Sequence, residues 1–273
     1  MKSLGFFTKK NEIITFNEIR ILSEPEWENY LESLENIYKI DEKISLFHMI
    51  YINYHEFYEY MEYITKSFYN TSQLSQTNIK THVNNLNCKL NNFLLSIRLF
   101  LDHFERKLKN EYGKNSDEFK KFNNETSKLY DNYFSYRFLY NLRNYVQHKN
   151  LAISQLEISK TEGKIKLLIA LNRDELLSDN KWKQVIKNDL MKQPEFIEIF
   201  SLMREMLYNL KKLTKCLIKD ETEKIDNSMN FLKKLINEIK NNNAPIIYDA
   251  EDNKITYYEF PLELMKFIDY IQN

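Results

Sequence analysis

The 273-residue chain predicts a mainly α fold, a helical bundle carrying small peripheral β-hairpins near the N-terminus, mid-chain and near the C-terminus. Three observations predict it. Apolar residues recur at three- and four-residue spacing over long stretches, the signature of amphipathic helices. Only 3 glycines and 4 prolines interrupt them, and both residues break helices. Short runs of alternating or continuous apolar residues flank polar turn residues in three places. With 43% hydrophobic residues, the chain can bury a sizeable core.

Residues 1–23 read as a β segment packed on the body, two short strands around Lys9-Lys10-Asn11. A helix begins at Ser23-Glu24-Pro25-Glu26. Ser23 and Glu26 have capping-box spacing, and Pro25 lies in the first turn, where its missing N–H does no harm. From Asp41, the residues Ile44, Phe47, Tyr51, Tyr54, Tyr58 and Met61 mark one face of a long helix to about Phe68. The polar stretch 70–78 is a connection. A second long helix spans about Ile79 to Tyr112, striped by Leu90, Phe93, Leu94, Ile97, Leu101, Phe104 and Leu108, with Gly113 as its stop. A third spans about Ser116 to His148, striped by Phe119, Phe122, Leu129, Tyr133, Leu139, Leu142 and Val146.

Residues 151–172 form a hairpin insertion, with Ile153–Ile158 and Lys164–Ile169 flanking Thr161-Glu162-Gly163. Helices are expected from about Asn188 to Leu217 and from Thr222 to Lys240, closing a helical domain over 24–242. Residues 243–273 complete the chain with a hairpin, Pro245–Tyr248 and Lys254–Tyr258 around Glu251-Asp252-Asn253, and a short helix.

Composition excludes several function classes. Lysine plus arginine and aspartate plus glutamate both total 39, so any nucleic-acid site is local. Gly5, Gly113 and Gly163 are too scattered for a phosphate-binding glycine loop. The cysteines Cys88 and Cys216 lack C-x-x-C spacing, which points away from a disulfide framework or thiolate metal site and toward a reducing compartment, the cytoplasm. No secretory or membrane-spanning apolar run is present, so no membrane partner is expected.

Three constellations carry possible chemistry. His48, His55 and Glu59 share a helical spacing that a metal would accept, but histidines among so many aromatics read as core-edge residues, and no metal site is expected. Lys211, Lys212, Lys215, Lys233 and Lys234 offer a phosphate-binding strip or a plain solvated face. The segment Tyr140–Lys149 differs, because it gathers Arg143, Asn144, Gln147 and His148 at the end of an otherwise apolar helix. Arginine forks onto phosphate oxygens, histidine exchanges a proton near neutral pH, and amides orient a hydroxyl.

The run RNYVQH, residues 143–148, resembles the R-x(4–6)-H signature, with a polar residue after the arginine, of the HEPN superfamily. The helices of residues 41–150 are similar to that family's setting. The resemblance implies an all-helical domain and metal-independent endoribonuclease activity without cofactors, in a toxin–antitoxin or abortive-infection (antiviral defence) setting. Arg143, Asn144 and His148 are then the catalytic residues, meeting those of a second protomer at a dimer axis. Tyr145, Gln147 and Lys149 are candidate RNA contacts, and an antitoxin or other regulatory protein is a possible partner. Position 150 is asparagine, where family members silenced by nucleotide addition carry tyrosine, so that control is not expected.

Arg98 to His103 also fits the bare spacing, but Leu99 lacks the polar character, and Arg98 with Asp102 reads as an i, i+4 ion pair. Arg98, Asp102 and His103 are therefore secondary candidates. On a regular helix Arg143 and His148 lie about 140° apart, whereas Asn144 and His148 share a face, so a common cleft needs a frayed end, a neighbouring helix or a second subunit. The expected reaction is attack of a ribose 2′-hydroxyl on the adjacent phosphorus, with His148 moving the proton and Arg143 neutralising the phosphate. The alternative is a non-catalytic adaptor or nucleotide-binding module in which Arg143 and Asn144 cap or pair within a dimer interface and His148 caps the helix end.

Overall fold

The computed structural model describes residues 1–10, 13–71, 75–161, 164–239, 244–251 and 254–273. The expected turn residues Asn11, Glu162, Gly163, Asp252 and Asn253, part of the 70–78 connection, and the helix end at Lys240 lie outside them. The described chain is mainly helical with small antiparallel sheets, as its sequence predicts. Among the described residues no helix is long and apolar enough to cross a membrane.

Strands β1 (Lys2–Lys10) and β2 (Ile13–Ile21) open the chain. Their register shifts at Leu4/Gly5, where a Cβ on Gly5 would stand 2.2 Å from the Asn17 carbonyl oxygen. Only glycine fits that approach. Helix α1 (Glu24–Thr71) follows and runs 48 residues. At its start the Ser23 N–H and hydroxyl donate to the Glu26 carboxylate at 3.0 and 2.9 Å, the return half of the expected capping box. The helix expected from Asp41 is continuous with this start, because no glycine or proline falls between Glu26 and Thr71.

Helix α2 (Gln76–Glu111) ends where Gly113, at φ 87°, donates its N–H to the Lys109 carbonyl at 3.1 Å, the stop its position implies. The single helix expected over 116–148 is instead two, α3 (Asp117–Asn132) and α4 (Phe134–His148), divided by Tyr133 in an extended conformation (φ −120°, ψ 118°). Side chains make the break. Arg137 donates to the carbonyls of Tyr130 and Asp131, acceptors that residues 134 and 135 would have bonded in a continuing helix, and Asn132 adds a side-chain bond to the Lys128 carbonyl at 2.8 Å.

Strands β3 (Gln155–Thr161) and β4 (Lys164–Asn172) form the hairpin expected after α4. Two short helices that the sequence reading did not anticipate as separate elements follow, α5 (Arg173–Leu177) and α6 (Gln184–Leu190). The helix expected from Asn188 to Leu217 gives way to strand β5 (Phe196–Glu198) and helix α7 (Ile199–Leu217). Pro194 cannot extend a helix. Phe196–Glu198 instead adds to the free edge of β4, giving the sheet order β3-β4-β5. The Glu198 carboxylate then caps α7 by accepting the N–H groups of Phe200 and Ser201 at 2.6 and 2.8 Å.

After helix α8 (Thr222–Asn237) come strands β6 (Pro245–Glu251) and β7 (Lys254–Glu259) and helix α9 (Leu262–Gln272). The N- and C-terminal hairpins are one sheet, order β2-β1-β6-β7, in which Leu4 pairs with Ile247.

Contacts gather the chain into two compact units, Met1–Ser45 with Lys215–Asn273, and Leu46–Thr214. The sequence alone suggests boundaries after residues 23 and 242. The shared sheet draws the two chain ends together, and α1 and α7 each supply residues to both units. In the first unit Trp27 stacks on Tyr30 at 5.5 Å and Phe260 meets Tyr30 edge-on at 5.3 Å. Arg20 ties Glu26 to Glu238 there and, with Ser23, holds the Glu26 carboxyl down to about 2. In the second unit Phe47 meets Phe100 edge-on, Tyr54 and Phe57 stack with Phe200, and α4 packs against α2, α3 and α6.

Candidate functional site

Apolar spacing sets the rotation of α4 about its axis. Phe138, Leu139, Leu142 and Tyr145 are buried, which leaves Asn144, Gln147 and His148 exposed on its last two turns. Both ends of the helix are anchored. Near the start, Arg137 donates from Nε and Nη2 to Asp189 of α6 at 3.0 and 2.9 Å. Beyond the end, the Asn87 carboxamide, 2% exposed on α2, pairs with both backbone groups of Ile153, each at 3.0 Å. That pairing imitates a strand partner and fixes the chain leaving His148.

Asn141, Asn144, Tyr145 and His148 form one wall of a cleft of ≈ 60 Å³. Asp179, Lys181 and Trp182, from the connection between α5 and α6, form the other. Trp182 stacks on Tyr145 at 5.7 Å and on Phe138 at 5.9 Å, and its Nε1–H donates to the Leu176 carbonyl at 2.7 Å. Asp179 is 6% exposed, accepts the Lys181 N–H at 3.3 Å and lies 3.6 Å from the Lys149 ammonium.

Each expected site residue has a definite place. Asn144 and His148 are brought together, as their four-residue spacing requires. Arg143 does not line that cleft. It is half-buried, donates from Nη1 to Asn144 Oδ1 at 3.3 Å, and its Nε is buried without a hydrogen-bond partner among the described residues. No carboxylate pairs with it among the described residues. The ring of Tyr145 belongs to the core at 7% exposure, and burial, with Glu175 and Asp179 adding, pushes its hydroxyl pKa up. Gln147 is exposed, and Lys149 is engaged by Asp179.

Among the secondary candidates, Arg98 and Asp102 form the expected i, i+4 ion pair at 2.8 Å, and His103 is exposed. The Arg98 guanidinium also lies 4.6 Å from the Tyr140 ring centre, one turn before Arg143, so the second copy of the spacing packs against the helix of the first. His48 and His55 each lie against the Tyr51 ring, at 6.4 and 4.2 Å, and His55 against Tyr54 at 5.4 Å; no group of three metal-ligating side chains is found among the described residues. The lysine runs are partly engaged: Lys233 pairs with Asp269 at 2.7 Å, and Lys212 lies 4.3 Å over Tyr208.

Sequence reasoning missed Asp179, Lys181 and Trp182. The available signal was local, a tryptophan and a polar break, Ser178-Asp179-Asn180, in a stretch without helical period. Nothing in that stretch says that it faces α4. No protein family, curated protein or solved structure matches the chain.

Proposed function

We propose that the chain is a metal-independent endoribonuclease of HEPN type, acting as a homodimer in a toxin–antitoxin or phage-defence setting. One observation carries the reading. Asn144 and His148 stand exposed in one cleft, and the adjoining Arg143 holds a guanidinium that no carboxylate neutralises among the described residues. A half-buried guanidinium with no carboxylate beside it is a group that an incoming phosphate can pair with through its outer nitrogens.

In the proposed reaction a ribose 2′-oxygen attacks the adjacent phosphorus as its proton leaves. The bond to the 5′-oxygen breaks, and that oxygen takes up a proton, giving a 2′,3′-cyclic phosphate and a 5′-hydroxyl. His148 moves one of these protons, Asn144 orients the attacking hydroxyl or the imidazole, and Arg143 stabilises the charge gathering on phosphorus oxygens. Because Arg143 and His148 diverge on α4, a complete site combines the arginine of one protomer with the histidine of another.

The non-catalytic reading also has an observation behind it. Asp179 sets a buried carboxylate, paired with Lys149, in the cleft that would receive a phosphate. Total RNA and tRNA incubated with purified protein separate the two. Arg143→Ala and His148→Ala are expected to slow cleavage by about 100-fold or more without altering the melting temperature, and EDTA is expected to have no effect. Loss of cleavage in EDTA, or cleavage at the wild-type rate by either variant, would sink the nuclease reading.

A further inference from the structure

The reaction proposed above moves two protons, one off the attacking 2′-oxygen and one onto the departing 5′-oxygen, and His148 accounts for one of them. Asp179 is the one carboxylate among the described residues that line the cleft with His148. It is 6% exposed, and its two oxygens are used differently. Oδ1 accepts the Lys181 N–H at 3.3 Å and lies 3.6 Å from the Lys149 ammonium. Oδ2 accepts no hydrogen bond among the described residues, yet unlike Arg143 Nε it is not sealed from water. The cleft that Asp179 lines, ≈ 60 Å³, has room for a few waters or for the hydroxyl edge of a sugar. A carboxylate oxygen with a free lone pair is able to take the proton of a hydroxyl placed against it.

We propose, on the footing of the nuclease reading, that Asp179 is a further catalytic residue, the general base that takes the proton of the ribose 2′-hydroxyl, and that His148 is the acid. The 2′-oxygen bonds to phosphorus as its proton passes to Asp179 Oδ2. The bond from phosphorus to the 5′-oxygen breaks as that oxygen takes the proton of the His148 imidazolium. The chain gains one proton and loses one, and exchange with water restores both groups. Attack and departure lie on opposite sides of phosphorus, so base and acid belong on opposite walls. That is how the connection between α5 and α6 and the last turn of α4 place Asp179 and His148. The same arrangement gives a buried carboxylate a role beside a phosphate. A carboxylate repels phosphate oxygens but accepts a hydroxyl, so Asp179 faces the sugar of the scissile linkage and Arg143 meets the phosphate.

The test is the cleavage rate of the full chain on the RNA linkage that the wild type cuts, and on the same linkage with sulfur in place of the bridging 5′-oxygen, a leaving group that needs no proton. Asp179→Asn keeps the Oδ1 acceptor. It is expected to cut the oxygen linkage about 100-fold or more slowly than wild type and to stay as slow on the sulfur linkage. His148→Ala is expected to be as slow on oxygen and to recover most of the wild-type rate on sulfur. Asp179→Glu, which restores a carboxylate, is expected to outpace Asp179→Asn on both. Cutting of the oxygen linkage by Asp179→Asn at close to the wild-type rate overturns the proposal and leaves the nuclease reading standing, as does recovery of Asp179→Asn on sulfur. RNA left uncut by the wild type overturns both. Should thermal melts show that Asp179→Asn does not fold, Asp179→Ala decides. Its cleavage is expected to rise with added formate, which supplies the missing carboxylate, and a rate indifferent to formate overturns the proposal.

Discussion

His82 illustrates how burial turns an ordinary side chain into a pH-sensitive one. Its Nδ1 lies 3.0 Å from the Tyr60 hydroxyl, which also accepts from Asn85 at 2.8 Å, and its ring meets Tyr63 edge-on. Burial lowers its pKa below the ordinary 6.5, so the folded chain takes up the proton less readily than the unfolded chain does. Stability is therefore full above that value and falls as pH drops through it. His55 shifts the same way through burial, opposed by Glu59. Urea denaturation followed from pH 8 to pH 5 is expected to show this decline, and His82→Gln to flatten part of it, the remainder belonging to His55; an unchanged slope would refute the assignment. Neither behaviour was legible in the sequence, since burial depends on which helix covers the ring.

Helix α4 shows what can and cannot be read at the level of an element. Its apolar stripe correctly placed Leu139 and Leu142 inside and Asn144 and His148 on one face, because side-chain direction on a helix follows from spacing alone. Its start at Tyr133 was invisible, because no glycine or proline marks it and the break depends on Arg137 reaching back to the carbonyls of Tyr130 and Asp131. The same guanidinium reaches Asp189, and both side chains are mostly buried. Arg137→Ala is expected to cost about 2–4 kcal/mol, leaving the carboxylate and two carbonyls without their donor. Arg137→Lys should recover only part of this, since an ammonium lacks the planar fork. Thermal melts of the two variants check both the size and the order of the effects.

For the whole molecule, the divergence of Arg143 and His148 on one helix has a consequence that one chain alone cannot satisfy. If the nuclease site is composite, a mixture of inactive Arg143→Ala and His148→Ala proteins forms heterodimers holding one intact site. Equal mixing is expected to restore about a quarter of wild-type RNA cleavage, and wild-type activity should fall faster than linearly on dilution. A mixture that stays inactive beside a wild type of strictly linear activity would place the whole site within one chain.

Although Tyr58, expected on the apolar face of the first long helix, is 40% exposed, the amino-acid sequence by itself determined the stripe of α2, the hairpins, the cap at Ser23 and Glu26, the stop at Gly113 and the common face of Asn144 and His148. Each is decided within one or two turns of chain, where periodicity and backbone preference act. Only the tertiary structure decided that Leu4 pairs with Ile247, that Phe196–Glu198 extends β4, and that Trp182 and Asp179 face α4. These join segments distant in the chain, and their partners are selected by the packing of buried surface and by the need of buried polar groups for hydrogen bonds, neither of which leaves a local pattern.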